Sequence, residues 1–282
     1  ALSCLFGGHV LTAHQGQLNA RTLYSPYGPA CIDDLHIPPS LLRKFLRMQF
    51  ARLDQPPVAN SVTEAHILSR ITGRSADLIE YPVERQFFDT PRRVGRTPII
   101  VTVADAADER SVDLYTRLAI LLNFEDPPLR FSWIGQVSSD ARAKLRAANV
   151  RVFETADASD TARYLSQAWV FVQTVAAEEL PTNVARAMAM GLPCLTSDTQ
   201  AHRDLILHGE TGFICTSERD FIERIATMVS NEAERMRVGD AARAEAKRRF
   251  TGGHFRTSLL RLYGFEDTVA QSMSFNELRA GQ

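Results

Sequence analysis

The 282 residues carry 32 Lys and Arg against 33 Asp and Glu, a formal net charge of −1, with 45% hydrophobic and 23% charged residues. This is an ordinary globular composition, long enough for one full domain and much of a second. It gives no global attraction to nucleic acid or to an anionic membrane, and no apolar run approaches the roughly 18 residues of a membrane span. Four widely spaced cysteines, Cys4, Cys31, Cys194 and Cys215, form no CxxC pair. They read as buried reduced thiols rather than as a disulfide framework or a zinc site. The chain opens on Ala1 with no secretion leader in view, so a processed or partial cytoplasmic chain is expected.

Residues 1–90 read as part of an α/β domain. Short apolar runs at Ala1–Phe6 and Val10–Ala13 flank a Gly7-Gly8 turn, Thr22–Tyr24 is a strand, and the proline-rich stretch from Ser25 to Pro39 is loop. Ser40 can cap a helix running to Leu53. Its apolar positions are Leu41, Leu42, Phe45, Leu46, Met48 and Phe50, and Arg43, Lys44, Arg47 and Arg52 give it a basic face. That pattern fits a core-packed helix with a solvated side and leaves open a contact with a membrane surface. A strand at Val58–Ser61, a helix to Ile71 and a strand over Asp77–Val83 follow, and 85–96 reads as linker.

Residues 97–265 alternate without a break. Strands are expected at 98–104, 129–134, 150–153, 168–173, 193–196 and 212–215. Helices are expected at 111–123, 138–148, 160–167, 181–190, 201–207 and 217–230, before two charged helical segments, 231–249 and 254–263. Such βαβ repetition specifies a parallel, doubly wound sheet. Residues 266–282 read as a frayed tail.

The centre of the pattern is the stretch from Trp169 to Thr196. An apolar strand is followed by a turn at Thr174–Glu179, a helix opening at Pro181 and stopping at Gly191 and Pro193, and a second strand. This places a helix N-terminus at the carboxyl edge of a parallel sheet, where open α/β sheets bind ligands and free amides favour phosphate.

The same stretch resembles the donor site of retaining GT-B glycosyltransferases of family 4 (group 1). Glu178 matches the first glutamate of their paired-glutamate signature, Ala187–Pro193 matches its Ala-Met-Ala-x-Gly-x-Pro tail, and His208–Ile214 is similar to a downstream Asp-Gly-Glu-Thr-Gly-Leu-Leu segment. Tyr24–Leu35 resembles a segment of mannosyltransferase-like members, with Tyr24, Asp34 and Leu35 in register. The resemblance implies a GT-B α/β fold of two Rossmann-like doubly wound domains. These are an incomplete acceptor-side domain over 1–90 and a nucleotide-sugar-binding domain over 97–265. It also implies transfer of a hexose, with retention, from a nucleotide sugar to a glycan or lipid-linked acceptor in polysaccharide biosynthesis. Neither metal nor cofactor nor nucleic acid is expected, and the work would be done in the cytoplasm or at the inner membrane face.

Carried over residue by residue, the resemblance puts Glu178 at the catalytic centre, binding hydroxyls of the donor sugar. Arg110 would bind the diphosphate, and Gly135 would let the backbone approach the nucleotide. Leu180, Thr182, Asn183 and Arg186 would surround the donor at the helix start, with the amides of Thr182 and Asn183 as phosphate donors. The chain departs from the pattern at named places. Arg186 stands where the second glutamate, which holds the ribose hydroxyls, belongs, and arginine cannot accept a hydrogen bond. It reaches a phosphate instead, or pairs with Glu178 or Glu179. Asp105 replaces a cation, and Pro26 replaces a histidine. These departures support an alternative, a catalytically degenerate GT-B protein acting as a binding or scaffold subunit.

Overall fold

The computed structural model describes residues 56–265 apart from 105–108, 124–127, 156 and 176–180, together with residues 44, 47, 48 and 51. The expectations for Cys4, Cys31, Pro26, most of the 40–53 helix, Asp105, Glu178, Glu179, Leu180 and the tail fall outside the described residues. Those residues group into two compact units, one up to Pro82 with Gly252 onward, the other Val83–Thr251.

In the first unit β1 (Val58–Ala59) and β2 (Asp77–Leu78) pair in parallel, joined by α1 (Val62–Thr72). Ser61 caps α1 by accepting the Glu64 N–H at 3.1 Å, and the Glu64 carboxylate reaches back to the Asn60 N–H at 2.5 Å. Gly73 ends the helix at φ 73°, the left-handed conformation that favours glycine. α10 (Gly252–Leu262) also belongs to this unit.

The second unit holds α2 (Arg85–Asp89), β3 (Ile99–Val103), α3 (Glu109–Leu121), β4 (Arg130–Ile134), α4 (Ser139–Ala147), β5 (Arg151–Phe153), α5 (Ala158–Leu165) and β6 (Val170–Gln173). It continues with α6 (Thr182–Ala189), β7 (Cys194–Ser197), α7 (Gln200–Leu205), β8 (Gly212–Cys215), α8 (Glu218–Ser230) and α9 (Glu232–Arg249). The six strands form one parallel sheet in the order β5-β4-β3-β6-β7-β8. Its strands are apolar on both sides because helices cover both faces. Val101, Val103, Phe171 and Cys194 pack under α2, α5, α6 and α9, while Ile100, Val170, Val172 and Leu195 pack under α3, α4 and α8. The chain runs outward from β3 to β5, then crosses back to β6 on the other side of β3. The crevice between the carboxyl ends of β3 and β6 is therefore the switch point at which such sheets take ligands.

The segment expected as linker differs from that expectation. Residues 85–89 are helical, and Phe87 is fully buried under the sheet face that carries α6. Phe87, with Phe88 partly buried against the same cluster, draws this short segment onto the core. Pro181, expected at the first helical position, sits one place earlier as the N-cap residue of α6. Cys194 and Cys215 are free and buried, and burial raises both thiol pKa values, Cys215 to about 12, so neither is a nucleophile at neutral pH. Among the described residues no helix is long and apolar enough to cross a membrane, and no group of three or more His, Cys, Asp or Glu is placed to hold a metal ion.

Candidate functional site

Three sets of contacts fix the carboxyl edge of the sheet around the switch point. The Ser111 hydroxyl donates to the Thr174 carbonyl at 3.2 Å and the Thr174 hydroxyl to the Ser111 carbonyl at 2.9 Å, locking the first turn of α3 to the end of β6. Asn183 Nδ2 donates to the Val103 carbonyl at 3.1 Å, tying the first turn of α6 to the end of β3. The Gly135 N–H donates to the Phe153 carbonyl at 2.9 Å, holding the exit of β4 against β5 at φ 127°, which only glycine adopts without strain.

Helix α6 presents its N-terminus at this edge. It has no side-chain cap, and among the described residues the amides of Thr182, Asn183 and Val184 have no acceptor. α1, α4, α5, α7, α8 and α9 are each capped by a Ser, Thr, Asp or Asn side chain. The opposite end of α6 is closed. Gly191, at φ 73°, completes a Schellman motif, with Leu192 N–H on the Ala187 carbonyl and Gly191 N–H on that of Met188. Arg243 Nη1 donates to the Ala189 carbonyl at 3.0 Å, and Arg92 Nη1 to the Gly191 carbonyl at 2.8 Å. Burial, with the charges of Arg235 and Arg243, pushes the Arg92 pKa down to about 10.

A cavity of about 500 Å³ opens between the start of α3 and the ends of β6 and β7, lined by Arg110, Asp113, Arg117, Thr174 and Ser197–Thr199 among others. Most of its charges are committed. Asp113 accepts from Lys144 at 2.8 Å, Arg117 donates to Glu218 at 2.6 Å, and Asp198 accepts both arms of Arg203 at 2.6 Å. Arg110 is exposed and has no carboxylate partner among the described residues.

The sequence-derived candidates therefore separate. Arg110 lines the cavity. Thr182 is exposed on the first turn of α6, Asn183 is bound to β3, and Gly135 sits two strands from α6. Arg186, one turn into α6, has a partner that sequence reasoning missed. Its Nε donates to Glu84 Oε2 at 3.0 Å, its Nη2 to Glu84 Oε1, and its Nη1 to Asn183 Oδ1 at 3.0 Å. The guanidinium also lies over the Phe87 ring, 5.1 Å from its centroid. Burial raises the Glu84 pKa more than any other single influence, but the hydrogen bond and charge of Arg186 and a hydrogen bond from the Glu84 backbone together outweigh it and hold the carboxyl below its ordinary value. The sequence signalled only that an arginine on this helix needs an anion, and Glu84, 102 positions away, carries no spacing that would single it out.

Residues 83–245 match the family model described as glycosyl transferases group 1. No curated protein matches the chain. Among solved structures, S. aureus TarM superposes with a TM-score of 0.65 at 18% identity, over 79% of this chain and 46% of that one. A glycosyltransferase from Rickettsia africae gives 0.71 at 14% identity, over 92% of this chain and 80% of that one. HepE from Anabaena, in complex with UDP and glucose, gives 0.69 at 13% identity, over 96% and 75%. The fold is that of the GT-B glycosyltransferases, and the chain spans about half the length of TarM.

Proposed function

The chain belongs to the glycosyl transferases group 1 family, and from that premise we propose that it moves a hexose from a nucleotide sugar to a glycan or lipid-linked acceptor with retention, as a family 4 enzyme of the mannosyltransferase-like branch. The bond between the anomeric carbon and the diphosphate oxygen breaks, and the diphosphate leaves with the electron pair. An acceptor hydroxyl then forms the new C–O bond and releases its proton. The setting is the cytoplasm or the inner face of the membrane.

The observation that carries this reading is the N-terminus of α6 at the switch point, which has no side-chain cap, with the exposed Arg110 at the start of α3 on the same sheet edge. Helix dipole, amides and guanidinium together neutralise a leaving diphosphate, so no metal is required. Gly135 gives the nucleoside close access to backbone, and Glu178 and Leu180 complete the sugar end. HepE is seen with UDP-glucose, and TarM with UDP and alpha-GlcNAc-glycerol, which supports a nucleotide sugar and a hydroxyl acceptor here. A second reading, a degenerate binding or scaffold subunit, is favoured by one observation: the position where relatives carry a glutamate holds an arginine committed to Glu84.

Calorimetry with UDP-, GDP- and dTDP-sugars, with and without a chelator, tests both. Binding at micromolar affinity without metal, followed by donor turnover, supports the transferase. Strict dependence on manganese or magnesium counts against it, and binding of none of the sugars leaves the scaffold reading.

A further inference from the structure

We infer that Glu84 supplies the carboxylate that grips the vicinal diol of the donor's ribose, with Arg186 as its positioning residue; this rests on the nucleotide-sugar reading above. Arg186 is pinned on every side, by both Glu84 oxygens, by Asn183 Oδ1 and by the Phe87 ring. A guanidinium so engaged does not swing to a phosphate. What it does is hold a carboxylate still. Phe87, fully buried, anchors α2 to the core, and Glu84 stands immediately before the first turn of that helix.

Each Glu84 oxygen accepts from Arg186 and the carboxylate also accepts from its own backbone N–H, which leaves it capacity for further donors. The side chain is 41% exposed, so part of it is accessible to a ligand from solvent. The group is an oriented, acceptor-only anion presenting two adjacent oxygens, the complement of two adjacent hydroxyl donors.

Its place in the fold selects the diol. Asn183 links Arg186 to the Val103 carbonyl at the end of β3. In the sheet β3 lies between β4, which carries the Gly135 exit, and β6, which leads to the open end of α6. Arg186 is four residues past Thr182, about 6 Å down the helix axis from the amides that would take the diphosphate. A nucleotide with its base side at Gly135 and its diphosphate at α6 has its ribose over β3, beside Glu84. The arginine at 186 thus swaps places with a carboxylate brought from another element.

The test is calorimetry of UDP, GDP and their 2′-deoxy counterparts against the unmodified protein, Glu84→Ala, Glu84→Gln and Arg186→Ala, with circular dichroism to confirm folding. For the unmodified protein, removing the 2′-hydroxyl weakens binding about ten- to hundredfold. Glu84→Ala weakens the ribonucleotide by a similar factor and no longer distinguishes it from the deoxynucleotide. Glu84→Gln retains part of the discrimination, since an amide oxygen still accepts, and Arg186→Ala loses part of it. Glu84→Ala that binds UDP normally, or still senses the 2′-hydroxyl, overturns the inference while leaving the donor reading intact. An unmodified protein that binds neither UDP nor GDP overturns both.

Discussion

The two ends of α6 are built on opposite plans. At the carboxyl end every resource is spent on satisfaction: a Schellman turn, a glycine at φ 73°, two arginines on the last carbonyls, and Gly239 of α9 packed against Gly191. At the amino end the first-turn amides have neither side-chain cap nor acceptor among the described residues, and the segment before Pro181 falls outside them. One end of the helix is a foundation and the other is a socket. The closed end bears the positional load, so the open end can keep polar groups that folding alone would have paired.

Substitutions at each end break or sharpen this contrast. The largest effect is expected at Gly239, where an added Cβ would lie 2.5 Å from the Gly191 carbonyl oxygen. Gly239→Ala should lower stability by about 3 kcal/mol, at the upper end for overpacking, read from urea denaturation. An unchanged midpoint would mean that α9 is not seated on the turn. Next is Arg92→Ala, which leaves the Ala168 and Gly191 carbonyls without a donor. We expect a loss of about 2 kcal/mol after the relief of burying a charge. Arg92→Lys does not restore it, because one ammonium cannot reproduce the fork.

At the open end the order of effects reverses. Pro181→Asp supplies the missing cap, so stability moves by no more than about 0.5 kcal/mol. Affinity for a nucleoside diphosphate falls about tenfold, because a carboxylate now occupies the anion's place. Undiminished affinity would show that the amides are not the phosphate donors. The smallest effect belongs to the Glu84–Arg186 pair. The folded Glu84 pKa is below its ordinary value of 4.5. Its stabilisation is therefore fully present above that pH and fades as pH falls through the folded pKa. At 41% exposure it is worth on the order of 0.5 kcal/mol after solvent screening. Urea midpoints from pH 6 down to pH 3 should fall more steeply for the unmodified protein than for Glu84→Gln.

Sequence pattern carried the alternation of residues 97–265 to within a few residues, because buried strands and amphipathic helices each impose a period. The GT-B fold followed from it together with the Ala187–Pro193 tail. The α2 helix escaped, since five residues cannot display a period and their one buried side chain sits among charges. The Arg186 partner escaped for a related reason: Glu84 is 102 positions away, and an ion pair between separate elements leaves no spacing to read. Arg92 and Arg243 look like surface cations in the sequence, yet each is spent on main-chain oxygens. The positions of Arg110 and Gly135 beyond the ends of β3 and β4 were legible because the strands themselves were.

Arg92, Arg235 and Arg243 share a trait with a consequence for ionic strength. Each donates to peptide carbonyls, and none of these bonds involves a carboxylate. Dissolved ions, which at about 0.15 M screen exposed charges beyond about 8 Å, loosen surface pairs such as Arg219–Glu223. Contact bonds to partly buried dipoles offer them little to screen. The mutual repulsion felt by Arg92 from Arg235 and Arg243 is likewise screened little, because Arg92 is largely buried. Raising the salt concentration therefore slackens the periphery of this domain and leaves the base on which α6 stands as it was.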